Sequence, residues 1–290
     1  MIENDPEASR RVRNILQSPA YRRADRDVDF LSDNDVRGAR LQLDFLKPEL
    51  NLRRRGIEQT IVVFGSTRIP DPIVAKERVN ELRVARKRAP DDTDLKEKLD
   101  IAERILAKSR YYTIAREFAA LVAKSGEGPG DNRVTIMTGG GPGIMEAANR
   151  GAYDSGAKSI GLNITLPHEQ VPNSFISEDL AFSVHYFAIR KLHFLMRARA
   201  LVAFPGGFGT IDEFFETLTL VQTGTIEPLP IILVGEEFWR RAFDIDFLAS
   251  EGVISAGDRQ LFSYAATADQ IWTEICAWHR GAGQTLLCDL

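Results

Sequence analysis

The sequence predicts an α/β fold, a doubly wound and mainly parallel sheet with helices on both faces. Apolar runs ending in glycine alternate with helical patterns, and two glycine-rich turns stand where a strand gives way to a helix. IVVFG at 61–65 is a continuous apolar run, as expected of a parallel strand covered on both faces. VTIMTGG at 134–140, ALVAFPGG at 200–207 and PIILVG at 230–235 have the same texture, and KSIGLNI at 158–164 and LAFSVHYF at 180–187 are weaker strands. Helical periodicity marks Thr113–Ser125, Ile144–Ser155, Ile189–Ala198 and Thr210–Gln222 between them. Right-handed crossovers distribute these helices over both faces.

Two segments fall outside that alternation. Residues 1–56 are rich in Arg, Asp and Glu and read as an N-terminal helical arm, with short amphipathic stretches at Arg10–Ile15 and Val36–Leu46. The domain proper is expected over 57–290. Its first crossover is too long for one helix. Ala75–Lys87 and Leu95–Lys108 form an inserted helical hairpin at about 71–110, split at Ala89-Pro90-Asp91-Asp92, where Asp91 or Asp92 can cap the second helix. Its charged residues read as a solvated face.

Composition removes several function classes. A net charge of −4 gives no basic field for nucleic acid. No apolar run approaches the roughly 20 residues of a membrane span, and the polar N-terminus does not read as a signal peptide. Cys276 and Cys288 make no disulfide framework, which fits a reducing, cytoplasmic setting. His168, His185, His193 and His279 are scattered without metal-ligand spacing, so no metal is expected. His185 and His193 read as satisfied or surface histidines.

The chemistry is expected at the two turns. Ligands of open α/β sheets bind outside the carboxyl ends of the strands. The first turn is Thr138-Gly139-Gly140-Gly141-Pro142-Gly143-Ile144-Met145-Glu146, and the second is Pro205-Gly206-Gly207-Phe208-Gly209-Thr210-Ile211-Asp212-Glu213. Glycine lets the backbone approach a ligand, and free amides at a helix start favour an anion. No G-x-x-x-x-G-K-[ST] occurs, which argues against a nucleoside triphosphatase. The strand after the first turn ends in Asn163 rather than an acid for the ribose of NAD. Thr210-x-x-Glu213 also fits a capping box, a purely structural role. Both roles coexist if the Gly207 to Thr210 amides and the Thr210 hydroxyl hold a phosphate while Glu213 faces a sugar. Phe208 and Met145 read as packing residues, Met145 against a base.

PGGFGTIDE at 205–213 resembles the PGGxGTxxE signature of the LOG family of nucleoside 5′-monophosphate phosphoribohydrolases. GGGPGIME at 139–146 is similar to the family's GGG-x-x-G-x-M element, Phe64-Gly65-Ser66 to its first-strand turn, and Arg190-Lys191 to its Arg-Lys pair. The resemblance covers about Thr60 to Val234, a Rossmann-like body. Short family members lack counterparts of residues 1–56 and of the insertion. It implies hydrolysis of the N-glycosidic bond of a purine-type nucleoside monophosphate, AMP or a cytokinin riboside monophosphate, without cofactor, in a homodimer or larger homo-oligomer. Glu213 and Arg190 match the catalytic pair. Gly65, Ser66, Gly140, Gly141, Gly143, Met145, Glu146, Lys191, Gly206, Gly207, Gly209 and Thr210 match positions expected to bind phosphate or substrate. An alternative is a non-catalytic carrier of a phosphate-bearing ligand, like the molybdenum-cofactor carriers. It would need the phosphate amides but not Glu213 together with Arg190. A nucleotide sensor whose arm and hairpin bind a partner is a third reading. The lysine decarboxylase label attached to this family finds no support, since neither turn contains a lysine and no pyridoxal site is legible.

Overall fold

The computed structural model describes residues 6–165, 171–284 and 286, so His168 and Cys288 lie outside the described residues. The chain divides into two compact units, 1–48 and 49–290. The first holds α1 (Pro6–Gln17), α2 (Val28–Ser32) and the beginning of α3 (Arg37–Arg54). Asp27 caps α2 by accepting from the Phe30 amide. Both helical stretches expected in the arm are formed. α3 extends well past Leu46, and the division between units falls at Pro48 inside it, where the helix lacks an N–H donor.

The second unit is built on seven strands: β1 (Gln59–Phe64), β2 (Val134–Thr138), β3 (Ser159–Ile164), β4 (Ala181–Val184), β5 (Ala198–Ala203), β6 (Ile231–Val234) and β7 (Ser263–Ala265). They pair in the order β4-β3-β2-β1-β5-β6-β7, and every pairing is parallel. All six strands expected from the sequence form. β7 is three residues long, too short to stand out as an apolar run.

Strand alternation divides the core in two. Ile61 and Val63 of β1, Ala200 and Val202 of β5, and Ile232 and Val234 of β6 enter one cluster. Val62, Phe64, Leu201, Ala203, Ile231 and Leu233, their neighbours in sequence, enter the other. Helices cover both faces: α6 (Arg110–Ala123), α7 (Ile144–Asp154) and α12 (Ala268–Gly281) supply the first cluster, while α9 (Phe208–Gln222), α10 (Glu236–Ala242) and, through Phe194, α8 (Phe187–Met196) supply the second. α11 (Ile245–Ser250) completes the C-terminal part.

The inserted hairpin is α4 (Pro72–Arg88) and α5 (Thr93–Lys108). Asp71 caps α4, which has proline at its start, and Asp92 is the residue that caps α5, accepting from the Leu95 amide at 3.0 Å. Arg83 and Glu103 join the two helices at 2.7 Å. Among the described residues no helix is long and apolar enough to cross a membrane.

The strand order contains one reversal that matters for binding. β1 lies between β2 and β5, and the chain leaves β1 towards β2 but returns to its other side only at β5. The carboxyl ends of β1 and β5 therefore flank the crevice of a topological switch point.

Candidate functional site

Three turns meet at that crevice. The Ser66 amide after β1 donates to the Pro205 carbonyl after β5 at 3.0 Å, and the Ile144 amide at the start of α7 donates to the Ser66 carbonyl at 3.1 Å. Such close approach demands glycine. A Cβ at Gly65 would meet the Ile144 side chain 2.6 Å away, and one at Gly143, where φ is +71°, would overlap the Ser66 carbonyl.

These turns, with α8 and the start of α9, enclose a cavity of about 530 Å³, within the usual range for small-molecule sites. Of the residues singled out in the sequence, the structure brings together Gly65, Ser66, Met145, Arg190, Gly207, Gly209, Thr210 and Glu213 along its wall. Six others do not line it. Gly140 and Gly141 are held by the protein: Asn173 donates to both their carbonyls, and Asn163 would overlap a Cβ at Gly140. Gly143 serves the contact with Ser66, and Gly206 makes room for the Thr210 side chain. Glu146 accepts from the Tyr112 hydroxyl at 2.7 Å. Lys191 is tied to Asp212 and Glu216, both at 2.7 Å. These six lie off the cavity wall, where they shape the turns or neutralise charge.

The capping-box reading is also corrected. α9 begins at Phe208 with Gly207 as its cap and no side-chain capping bond, so Thr210 and Glu213 sit inside the helix. Both are buried. The amides of Thr210 and Ile211 reach back to the Gly207 carbonyl. Those of Phe208 and Gly209, in the opening turn, have no place in the i to i−4 ladder and remain available to an anion. A Cβ at Gly207 or Gly209 would meet nothing within 4 Å, so these two glycines keep space open at the cavity wall.

Phe208 is not a packing residue. It is 93% exposed at the cavity rim, because it takes the first position of α9 right after Gly207. Asp212 of the second turn also stands on the wall, and three other wall residues escaped the sequence reading: Thr67, Arg68 and Phe187. Arg68 follows the first-strand turn at a distance short enough to have been suspected; the others carry no sequence signal of their own. Gly139 has a role as well, since any side chain there would overlap the Arg190 guanidinium.

The electrostatics centre on Arg190 and Glu213. Arg190 lies against the rings of Phe194 and Phe187, its guanidinium carbon 5.2 and 6.0 Å from their centroids. Its Nε is buried and has no hydrogen-bond partner among the described residues. Burial pulls its pKa below the ordinary value, with the charge of Glu213 opposing; arginine stays cationic nonetheless. Glu213 is 7% exposed. Burial pushes its carboxyl up to about 7, against the pull of Lys191 and Arg190 and with help from Glu216 and Asp212. Lys191 loses some basicity to burial, but its bonds to Asp212 and Glu216 and the charge of Glu213 more than restore it and hold it above the ordinary value. His193 is buried in α8 and lies outside the cavity wall, as does His185. Among the described residues no cluster of three His, Cys, Asp or Glu side chains is placed to hold a metal ion.

Arg190, which has no ion pair among the described residues, two helix-start amides outside the α9 ladder and Thr210 line the same cavity. A carboxyl that titrates near neutrality stands beside them. This arrangement can bind a phosphate and act on an adjoining group that develops positive charge or loses a proton.

Residues 145–275 match the family described as "Possible lysine decarboxylase". The cytokinin riboside 5′-monophosphate phosphoribohydrolase LOG4 of Arabidopsis thaliana is 29% identical over 140 residues, which cover 47% of this chain and 63% of that protein. The corresponding LOG enzyme of Oryza sativa subsp. japonica is 30% identical over 140 residues, 47% of this chain and 56% of that protein. The chain thus spans less than two thirds of the length of these relatives. Among solved structures, the molybdenum cofactor binding protein of Rippkaea orientalis has 18% identity and a TM-score of 0.42, over 58% of this chain and 87% of that one. The Moco carrier protein from Chlamydomonas reinhardtii has 18% identity and a TM-score of 0.42, over 76% of this chain and 99% of that one.

Proposed function

We propose that this chain, which matches the family described as "Possible lysine decarboxylase" over residues 145–275 and is similar to LOG enzymes, is a LOG-type enzyme that hydrolyses the N-glycosidic bond of a purine-type nucleoside 5′-monophosphate. AMP or a cytokinin riboside monophosphate is the substrate class, and free base and ribose 5-phosphate are the products. The observation that carries this reading is the pairing, in one cavity, of the unpartnered Arg190 with a Glu213 that titrates at about 7.

The 5′-phosphate takes the Phe208 and Gly209 amides, the Thr210 hydroxyl and the Arg190 guanidinium. Glu213, less than two turns into the same helix, then faces the ribose. As the bond from C1′ to the base nitrogen breaks, its electron pair leaves with the base and positive charge gathers on the sugar. The Glu213 carboxylate stabilises that charge and orients the water. The water supplies the new hydroxyl at C1′ and the proton that ends on the base. Lys191 neutralises Asp212 and Glu216, which would otherwise repel the phosphate.

A carrier would use the same anion wall and would gain nothing from a buried carboxyl with so raised a pKa. A decarboxylase with a lysine Schiff base would need a lysine of lowered pKa, whereas Lys191 is held above its ordinary value. We further propose that the protein works in the cytoplasm as a homodimer or larger homo-oligomer. A solution mass near 32.4 kDa at micromolar concentration would contradict the latter.

The functional test is base release from a panel of nucleoside monophosphates and their nucleosides. Adenine and ribose 5-phosphate should appear from AMP, with adenosine a poor substrate. Equal turnover of adenosine would mean that the phosphate contributes no useful binding energy, and would sink the assignment.

A further inference from the structure

A second cavity, of about 540 Å³, opens where the end of α5, the start of α6 and α10 converge. Four cations line it: Arg104 and Lys108 one turn apart on α5, Arg110 on α6 and Arg241 on α10. Glu237 is the one acid on the wall, and Tyr111 and Phe238 supply apolar surface.

Some cations on these helices and on the adjoining α4 point elsewhere and are paired, Lys98 with Asp94, Arg83 with Glu103, Arg116 with Asp154 and Arg240 with Glu236, whereas the cavity differs in gathering four cations on one wall. None of the four cations on the cavity wall has a carboxylate within 4 Å among the described residues. Arg104 donates to the Asp100 carbonyl and Arg110 to the Tyr111 hydroxyl, and neither bond removes charge. Helix dipoles account for Lys108 in the last turn of α5 and for Arg241 in the last turn of α10. They do not account for Arg110, which begins α6, where a cation is disfavoured. Four like charges around one small cavity repel one another, in a chain whose net charge is negative.

From this convergence we infer that the cavity is a second anion site, separate from the one at the switch point, and that it takes a small ligand carrying an oligophosphate group. A single phosphate would leave most of the positive charge uncompensated. Two or more linked phosphates match four cations in number and fit the available volume, and arginine offers them forked donors.

Calorimetric titration with inorganic pyrophosphate tests this. The titration uses the Arg190→Met protein, which weakens anion binding at the switch-point cavity. That protein should bind pyrophosphate, and binding should weaken with added salt. Adding Arg104→Ala and Arg241→Ala should weaken it at least tenfold. Both residues are exposed, and the thermal midpoint without ligand should stay level or rise as repulsion is relieved. Failure of Arg190→Met to bind pyrophosphate, or undiminished binding after the two further substitutions, would overturn the inference.

Discussion

Arg190 and Glu213 line one cavity from two separate helices, yet their charged groups do not come within ion-pair distance. Each acts on the other's protonation across the gap. Asp212 and Glu216 pair with Lys191, and Arg190, on the cavity wall, has no ion pair among the described residues. A buried cation without a partner costs stability, a cost that the phosphate of the proposed substrate would offset.

Substitution of Arg190 by Met, which keeps most of the volume, should separate binding from folding. KM for a nucleoside monophosphate should rise at least tenfold, roughly 1.4 kcal/mol of lost binding. The unfolding midpoint should hold or increase, since no hydrogen bond of Arg190 Nε is lost. Steady-state kinetics beside a thermal melt checks both. A marked fall in the melting midpoint with unchanged KM would make Arg190 a structural residue.

Glu213 should give the protein a particular pH dependence. Its carboxyl titrates at about 7 in the folded protein, against an ordinary value of 4.5. Between those values the folded protein keeps a proton that the unfolded chain has lost. Stability therefore falls as pH rises through that window, by on the order of 3 kcal/mol in total, and levels off above it. Glu213→Gln removes this contribution. Denaturant unfolding of both proteins at about pH 5 and about pH 8 should show the variant gaining on the wild type at the higher pH. Activity has the opposite sign, because the charged carboxylate works, and kcat should decline as pH drops below about 7. A stability gap that does not change with pH would refute the shift.

The glycines should sort into two kinds. Gly143→Ala places a side chain at φ +71° against the Ser66 carbonyl, and should destabilise the fold by about 1–3 kcal/mol. Gly209→Ala meets open space in the first turn of α9 and should leave stability level or slightly higher. Its methyl group occupies the wall where phosphate is expected, so substrate affinity should drop. Chemical denaturation with nucleotide titration distinguishes the two, and loss of folding in Gly209→Ala would contradict this division.

What the sequence discloses about this fold follows from how the forces act along the chain. The continuous apolar runs around Ile61, Ile136, Leu201 and Ile232 are legible because strands covered on both faces admit few polar residues. The hairpin is legible from its two charged helical patterns and the break at Ala89-Pro90-Asp91-Asp92, whereas the Asp71 cap of α4 is seen only in the structure. β7, at Ser263–Ala265, is not, because three residues carry no period. At the site, the glycine turns stand out locally, but local spacing does not say which glycine faces the ligand. Gly140 and Gly143 serve contacts with Asn163 and Ser66, residues far away in sequence. Thr210-x-x-Glu213 satisfies the spacing of a capping box, yet the helix starts two residues earlier, at Phe208. That Lys191 pairs with Asp212 and Glu216 while Arg190 Nε has no partner among the described residues is a three-dimensional fact that the adjacent Arg190-Lys191 letters do not disclose.

The most direct measurement of the central claim is adenine release from AMP by wild-type protein and by Glu213→Gln, followed chromatographically, with AMP binding measured in parallel. Burial of Glu213 without any capping bond means that the substitution should leave the fold and nucleotide binding in place. The amide carries no charge to set against the developing positive ribose. Turnover should fall a hundredfold or more, about 2.7 kcal/mol of barrier, as expected for one well-placed electrostatic group. Near-wild-type turnover in the variant, or no adenine release from AMP by the wild-type protein, would contradict the account and return the cavity to the role of a phosphate-ligand carrier.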